Sequence, residues 1–251
     1  MISLIDLDPL PYTYGGIAYE DGKSLPDSQL KKMVDDKIKE IVERSGGTSW
    51  VGYLSDSPSN FRNLVATILP YKGNRIGNEK PAKFHMLREY LLEEYPDNVE
   101  LIFGMEADDA LAIDQYKAPS ETTIICTIDK DLEMVPGWHY KWARGTVEET
   151  APFLVTEVEG LRFFYKQLLT GDMTDNIKGL HGVGKKSTLL SKLDDMDEEE
   201  DMFKHVHSEY VKRFGSYADQ FMLENGKLLW MLQDKDVMWE LPTYDVPEVQ
   251  F

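Results

Sequence analysis

The sequence predicts an α/β fold, with a doubly wound, mainly parallel sheet over about residues 1–155 and a helical region after it. Two observations support this prediction. Short apolar runs of strand character alternate with amphipathic helical stretches in the first part of the chain, and from Gly160 onward apolar residues recur at helical spacing. The 251 residues, 42% of them hydrophobic, are enough to bury a sizeable core.

The predicted strands are short and apolar, and the clearest of them, Thr122–Ile128, is rich in β-branched residues. The other strands are Ile2–Ile5, Thr48–Leu54, Val99–Phe103 and a weaker Trp138–Trp142. The helices between them run from about Asp27 to Gly46, over Ala82–Glu94 and over Glu106–Gln115. The later helices are Leu161–Leu169, Lys185–Leu193, Met202–Phe214 and Tyr217–Leu232, and Leu241–Phe251 is predicted to be a tail.

These elements divide the chain into two predicted domains, residues 1–158 and 159–251. The first includes a basic segment at about residues 60–90, and the second includes two helices joined by a hairpin at about 168–193. The net charge of −18 by itself disfavours a polyanionic partner. The charge is uneven, however, because residues 191–251 hold 15 acidic and 6 basic side chains. Their acidic run at 194–201 is expected to be a solvated approach to a helix.

The sequence also indicates a compartment. Cys126 is the single cysteine, which excludes an internal disulfide and fits a reducing environment. No apolar run approaches the roughly 20 residues of a membrane-spanning helix, and the N-terminus lacks the features of a signal peptide. We therefore expect a cytoplasmic protein with no membrane partner.

Carboxylates follow the predicted strands, where the carboxyl ends of a parallel sheet place functional groups. Two bare carboxylates about 4 Å apart repel by on the order of 4 kcal/mol at an effective dielectric of 20. Lys130 is the one cation inside these motifs, and strand alternation is expected to point it away from its neighbours. The acids are Asp6, Asp56, the trio Glu106, Asp108 and Asp109, the pair Asp129 and Asp131, and the turn residues Asp172 and Asp175.

Such a cluster calls for cations to neutralise it. Oxygen ligands without His or Cys suit Mg²⁺ or Mn²⁺ and do not suit zinc. Two such ions about 3.5–4 Å apart activate water and stabilise the attacking and leaving oxygens in phosphodiester hydrolysis. The residues therefore predict a metal-dependent phosphoesterase with two ions.

The segment Gly182-Val183-Gly184 predicts a second kind of contact. Its backbone N–H groups can face a DNA phosphate, and Lys185 and Lys186 add positive charge. Lys186 stands where a nucleotide-binding phosphate loop has its hydroxyl residue, and no strand precedes the segment. We therefore expect no nucleotide cofactor.

Three blocks, in this order, resemble the 5′ nuclease superfamily. Gly104–Ala110 resembles its Glu-Ala-Asp-Asp block, Thr127–Leu132 its Asp-Lys-Asp block, and Gly171–Gly184 its Gly-Asp-x-x-Asp-Asn block with the helix–three-turn–helix motif. The resemblance covers about residues 1–190 and implies a PIN-like sheet. The small size, with no polymerase attached, is most similar to stand-alone phage 5′→3′ exonucleases.

The resemblance implies a role for each matched residue. Asp6, Asp56, Glu106, Asp108, Asp129 and Asp131 would serve one metal as ligands or near neighbours. Asp172 and Asp175 would hold the other metal together with Asp129 and Asp131. Asp109 would orient a metal-bound water, and Lys72 and Arg75 would steer the scissile phosphate. The implied DNA contacts are Arg62, Tyr71 (by base stacking), Lys178, Gly182, Gly184, Lys185 and Lys186, with room for a K⁺ ion at the hairpin.

The implied activity is that of a 5′→3′ exonuclease or 5′ flap endonuclease in phage DNA replication, primer removal or recombination. Its partners would be DNA with a 5′ end, gap or flap, together with replication proteins, and its location the host cytoplasm. Two alternatives stay open: a PIN-like or RNase H-type ribonuclease acting on RNA or an RNA–DNA hybrid, and an inactive DNA-binding relative.

The chain departs from the family pattern after Asp6, where the family begins a helix at once. Pro9 and Pro11 predict that no helix forms there, and they leave the role of Asp8 open.

Overall fold

The computed structural model describes residues 1–20, 22–56 and 59–244. Most of the predicted tail, residues 245–251, therefore lies outside the described residues. The strands are β1 (Ile2–Asp6), β2 (Ser49–Ser55), β3 (Val99–Ile102), β4 (Thr123–Cys126), β5 (Gly137–Lys141), β6 (Thr150–Val155), β7 (Gly171–Asp172) and β8 (Ile177–Lys178). The α-helices are α1 (Pro9–Tyr14), α2 (Asp27–Ser45), α3 (Arg62–Val65), α4 (Phe84–Glu94), α5 (Ala107–Lys117), α6 (Glu157–Thr170), α7 (Thr188–Asp194), α8 (Glu199–Phe214) and α9 (Ala218–Leu229).

The chain forms two compact units. The α/β unit comprises Met1–Asn60 and Gly77–Val155, and the helical unit comprises Phe61–Ile76 together with the residues from Thr156 onward. The whole basic segment was expected in the first domain, whereas the structure divides it between the units after Ile76. The first part of the segment belongs to the helical unit because Arg62 and Thr67 form hydrogen bonds to residues of α9.

The sheet of the α/β unit confirms the predicted fold class. Its strand order is β3-β2-β1-β4-β5-β6, and all neighbours are parallel except β5 and β6. Ile5, Leu54 and Ile124 are fully buried, as expected for central strands covered on both faces. The strand order reverses direction between β1 and β4, which makes their carboxyl ends a topological switch point.

Strand β6 is an element that the sequence analysis missed. It pairs antiparallel with β5 at the edge of the sheet, and its residues Thr150–Leu154 are exposed or half-buried. It also contains Pro152, which is tolerated on an edge strand because a ladder hydrogen bond is not required there. An exposed strand of this kind lacks the apolar pattern that identified the others.

Helix α1 corrects the prediction that the two prolines prevent a helix after Asp6. Pro9 is the first residue of α1 and Pro11 the third. The first N–H groups of a helix have no acceptor within the helix, so a proline there sacrifices no hydrogen bond, and its fixed φ suits the helix.

The helical unit is built on α6, α8 and α9, with Phe164, Tyr165 and Tyr210 fully buried. After α6, the ribbon β7–β8 brings Gly171 against Gly179, where a Cβ atom on either would lie 2.2 Å from a backbone atom of the other segment. Helix α7 begins at Thr188, three residues later than predicted, because the Ser187 side chain caps it by accepting a hydrogen bond from Leu189 N. No helix in the described part of the chain is long and apolar enough to cross a membrane.

Candidate functional site

Four adjacent strands carry acidic residues to the same edge of the sheet. In the order β3-β2-β1-β4, Glu106 follows β3, Asp56 follows β2, Asp6 ends β1, and Asp129 follows β4. Asp6 lies in register with Tyr53 of β2, and its neighbour Ile5 with Cys126 of β4. The expectation that these acids meet at one edge therefore agrees with the strand order.

Asp6 is the most deeply placed of these carboxylates, with 5% of its surface exposed. Its Oδ2 accepts a hydrogen bond from the Thr127 hydroxyl at 3.0 Å, and its Oδ1 accepts one from Asp8 N at 3.1 Å. Burial, followed by the negative charges of Asp8 and Asp129, raises the pKa of Asp6 to about 8. Two donors are thus insufficient to offset the cost of a buried negative charge beside two others.

Thr127, which the sequence analysis did not single out, links Asp6 to Asp129. Its hydroxyl donates to Asp6 and accepts from Asp129 N at 3.0 Å. Asp129 Oδ1 in turn accepts from Asp131 N at 2.9 Å. The sequence signal that could have identified Thr127 is a hydroxyl residue directly after β4, two positions before Asp129 of the Asp-Lys-Asp block.

Lys130 corrects an expectation, because its Nζ pairs with Asp131 Oδ1. Strand β4 ends at Cys126, and Asp131 begins a 3₁₀ helix, so the alternation of a strand does not apply to Lys130. Asp131 is consequently already neutralised in part by its neighbour in the chain.

Glu106 and Asp109 form a capping box at the start of α5. The Glu106 side chain accepts from Asp109 N, and Asp109 Oδ2 accepts from Glu106 N at 3.1 Å. Asp109 is fully buried, so these contacts give it a structural role at the start of α5, while its expected role of orienting water stays a prediction. Asp108 lies in the first turn of α5 and is half-buried.

Asp56 is held near the same loop by small polar residues. Its Oδ2 accepts from the Ser59 hydroxyl at 3.1 Å, and Ser59 Oγ accepts from Gly104 N at 2.9 Å. Ser55 Oγ accepts from Ala107 N at 2.9 Å. These contacts join the end of β2 to the loop before α5 and to the start of that helix, where Glu106 and Asp108 lie.

Asp8 takes a role that the sequence analysis left open. Its Oδ1 accepts from Arg88 Nη1 at 2.9 Å and from Ser55 N at 3.1 Å, while Arg88 Nη2 donates to Ser55 O at 2.7 Å. Burial raises the pKa of Asp8, and the bonds to Ser55 and Arg88 oppose that change. Arg88, part of the predicted basic segment, thus joins α4 to the sheet edge.

The donor set fits Mg²⁺ or Mn²⁺ because the groups at this edge are carboxylate oxygens, the ligands that these hard ions take. The buried Asp6, flanked by two like charges, is the observation in favour of a cation. Among the described residues, no three His, Cys, Asp or Glu side chains stand as a ready-made metal site. A cation would therefore have to draw these carboxylates together.

Asp172 and Asp175 lie in the helical unit, on and after β7. Asp172 is buried, and its Oδ1 accepts from Thr174 N at 2.6 Å. Asp175 Oδ1 accepts from Arg75 Nη2 at 2.6 Å, its Oδ2 accepts from the Tyr71 hydroxyl at 2.8 Å, and Lys72 Nζ lies 3.7 Å from Oδ2. Both expected phosphate-steering cations thus contact an expected metal ligand.

Two residues that were predicted to contact DNA are buried in the structure. Tyr71 is 9% exposed, and its hydroxyl is bonded to Asp175, so its ring is not presented for base stacking. Arg62 is 1% exposed and donates to the carbonyls of Leu228 and Trp230. Both residues instead form hydrogen bonds within the helical unit.

The same contact region contains strained backbone. Lys72 and Asn176 have φ angles of +52° and +62°. Lys72 N donates to Asp175 O at 2.9 Å, and Asn176 Nδ2 donates to Pro70 O at 2.9 Å. Such outliers persist only where the surroundings over-determine them and are frequent at functional sites.

The residues of the predicted hairpin are accessible. Gly182, Gly184, Lys185 and Lys186 are exposed, as is Lys178 on β8. Gly182 has a φ of +80°, and a Cβ atom at either glycine would meet open space. An exposed backbone beside two lysines has the character that contact with a phosphate backbone requires.

The raised pKa of Asp6 leads to a prediction for stability without metal. The unfolded chain releases this proton near pH 3.8 and the folded chain near pH 8, so folding stability falls as pH rises between these values. In EDTA, we expect the free energy of unfolding of the wild type to fall as the pH rises. Per pH unit, it should fall by up to about 1.4 kcal/mol more than that of Asp6→Asn. Urea unfolding at pH 5 to 8 measures this difference, and parallel pH profiles of the two proteins would contradict it.

Comparisons with known proteins identify the fold. No protein-family model matches the chain, and no curated protein has a significantly similar sequence. The flap endonuclease of bacteriophage T5, in a complex with DNA and metal ions, superposes with a TM-score of 0.55 at 14% identity, covering 91% of this chain and 98% of its own. A crystal structure of the T5 protein with metal ions gives a TM-score of 0.52 at 15% identity, covering 89% and 97%.

The chain therefore has the fold of this phage flap endonuclease, and the similarity extends over nearly the entire length of both chains.

Proposed function

We propose that the chain is a divalent-metal-dependent nuclease that hydrolyses DNA phosphodiester bonds at or near a 5′ end. The single observation that carries the proposal is the edge of the sheet where four adjacent strands deliver acids around the buried Asp6. A cation is the partner that relieves this repulsion without protonating the carboxylates. The fold shared with a flap endonuclease that binds DNA and metal ions supports the same proposal.

The acids divide between two ions in this proposal. When bound, Mg²⁺ or Mn²⁺ ions lower the pKa of water and stabilise the charge on the attacking and leaving oxygens. Asp172 and Asp175 are assigned to the second ion. The residues assigned to the first ion are Asp6, Asp56, Glu106, Asp108, Asp129 and Asp131.

Lys72 and Arg75 neutralise the scissile phosphate in this proposal. In the structure, both contact Asp175, so each already lies beside a residue assigned to the metals. A guanidinium presents a planar fork to the oxygens of a phosphate, and Arg75 is 45% exposed. Bound DNA and ions would replace the contacts that these cations now make with Asp175.

The substrate is assigned as DNA with duplex next to its 5′ end. The exposed hairpin residues Gly182 and Gly184, with Lys185 and Lys186 beside them, suit a backbone that is contacted without base readout. A ribonuclease of similar sheet architecture has no need for such a hairpin.

The test uses end-labelled DNA duplexes that are blunt, gapped or 5′-flapped, and a matched RNA–DNA hybrid, each with Mg²⁺ or with EDTA. We expect 5′ mono- or oligonucleotides to be released from DNA only with the metal. Cleavage that survives EDTA would overturn the metal assignment. A strong preference for the hybrid would favour the ribonuclease, and binding without cleavage would favour the inactive relative.

The hairpin assignment makes its own prediction. Replacing Lys185 with alanine removes one phosphate contact in this proposal, so the negative slope of log K against log[salt] should become shallower by about 0.9 for duplex DNA. The matched control is Lys192→Ala, which removes an exposed lysine of α7. Fluorescence anisotropy from 50 to 200 mM KCl measures both slopes, and equal slopes for the two variants would remove the hairpin from the interface.

A further inference from the structure

Residues Phe61–Ile76, the first part of the basic segment, belong to the helical unit yet contribute little to its core. Arg62 and Tyr71 are its buried residues, whereas Leu64 and Ile76 are 87% and 84% exposed. A segment with so little buried apolar surface owes its position to polar contacts. Those contacts decide where Lys72 and Arg75 stand.

Glu224 of α9 holds the middle of this segment. Its Oε1 accepts from Thr67 N and from Ile68 N, both at 2.8 Å, and its Oε2 accepts from the Thr67 hydroxyl. The side chain is buried, with 8% of its surface exposed. Bonds to a buried charged acceptor are among the stronger ones in proteins, and removing the acceptor leaves its donors unsatisfied.

Arg62 holds the beginning of the segment to the end of the same helix. Its Nε donates to Leu228 O and its Nη2 to Trp230 O, both at 2.9 Å. Helix α9 ends at Leu229, so the guanidinium lies where the last carbonyls lack helical partners and where a positive charge is favourable.

The far end of the segment is held by the loop between β7 and β8. Asn74 Nδ2 donates to Met173 O at 2.8 Å, and Arg75 Nε donates to Thr174 O at 3.2 Å. Lys72 N donates to Asp175 O at 2.9 Å. The stretch that carries Lys72 and Arg75 is therefore fastened at both ends to the helical unit.

We propose that Glu224 and Arg62 are positioning residues that tether the basic segment to α9 and so fix Lys72 and Arg75 for the substrate phosphate. The inference rests on the proposed nuclease function. Neither residue lies in the blocks that resemble the 5′ nucleases, and Arg62 was expected to bind DNA. A displacement of about 1 Å caused by a distant mutation can lower a rate on the order of 10²-fold, so Glu224→Ala should lower kcat by about 10- to 100-fold.

Glu209 provides a matched control. It is also 8% exposed and lies on α8, but it pairs with Lys212 and Arg213 of its own helix. Glu209→Ala should cost stability without altering kcat. Glu224→Gln keeps an acceptor for the two N–H groups and should retain most of the wild-type kcat.

A double-mutant cycle separates positioning from general destabilisation. If Glu224 acts through Arg75, then Glu224→Ala should lower kcat much less in an Arg75→Ala background than in the wild type. If Glu224→Ala only damaged the structure, it would lower kcat by the same factor in both backgrounds, and the losses of the two single variants would multiply in the double variant. Multiplicative losses, or equal losses in the Glu224 and Glu209 variants, would overturn the inference.

Limited trypsin digestion tests the tether independently of nuclease activity. Cleavage after Lys72 and Arg75 should be at least about tenfold faster in Glu224→Ala than in Glu209→Ala or the wild type, because loss of the tether exposes the segment to local opening. Equal cleavage rates would overturn the tether even if the wild type is an active nuclease. Faster digestion in a chain without metal-dependent cleavage would overturn the nuclease proposal and leave the tether intact.

Discussion

Asp129→Ala is expected to lower kcat by about 10³-fold or more, equivalent to about 4 kcal/mol of transition-state stabilisation. Asp129 is assigned to the metals, and its charge is one of those that raise the pKa of the buried Asp6. Removing it takes a ligand from the proposed ions. It also relieves repulsion in the metal-free protein, which should offset the loss of the hydrogen bond from Asp131 N to Asp129 Oδ1.

The measurement is single-turnover cleavage of a 5′-flapped duplex in Mg²⁺, with DNA affinity measured in parallel in Ca²⁺. DNA binding should stay near the wild-type level or become tighter, because a negative charge has been removed next to a polyanion. Asp36→Ala serves as the control, since Asp36 lies on α2 and pairs with the exposed Lys32. A wild-type kcat in Asp129→Ala would show that the site assignment is wrong.

Arg75→Ala is expected to lower kcat by about 10²- to 10³-fold, the range found when one preorganised donor to a developing charge is removed. Arg75 Nη2 lies 2.6 Å from Asp175 Oδ1, so its loss leaves the phosphate without a guanidinium and Asp175 without its closest cation. Arg75→Lys should recover only part of the rate, because an ammonium cannot present two parallel donors.

The control for Arg75 is Arg213→Ala, which removes an arginine that pairs with the carboxylate of Glu209 in the same unit. Rates at saturating DNA separate kcat from binding for both variants. An Arg75→Ala protein whose KM rises while kcat is unchanged would assign Arg75 to ground-state binding alone.

The parallel sheet was predictable because each central strand is a short apolar run, and a run such as Ile124–Cys126 is fully buried. The gathering of acids followed from the topology, since groups at the ends of parallel strands share one edge. Strand β6 and helix α1 were not predicted. One is an exposed edge strand without a periodic signal, and the other depends on prolines occupying a helix start, where they are tolerated.

The details of the site depended on contacts that no local pattern reveals. Arg62 bonds to a carbonyl 166 positions along the chain, and Tyr71 to a carboxylate 104 positions away. The resemblance to the 5′ nucleases implied that both residues contact DNA. For Lys130 and Asp109, the decisive facts were where β4 ends and how α5 is capped.

Metal-dependent hydrolysis at a 5′ end determines which of the two cleaved ends carries the phosphate. On a 5′-flapped duplex in Mg²⁺, we expect a released 5′ fragment with a 3′-hydroxyl and a retained strand with a 5′-phosphate, and no products in EDTA. A 3′-phosphate on the released fragment, or the same products in EDTA, would show that the proposed reaction is wrong.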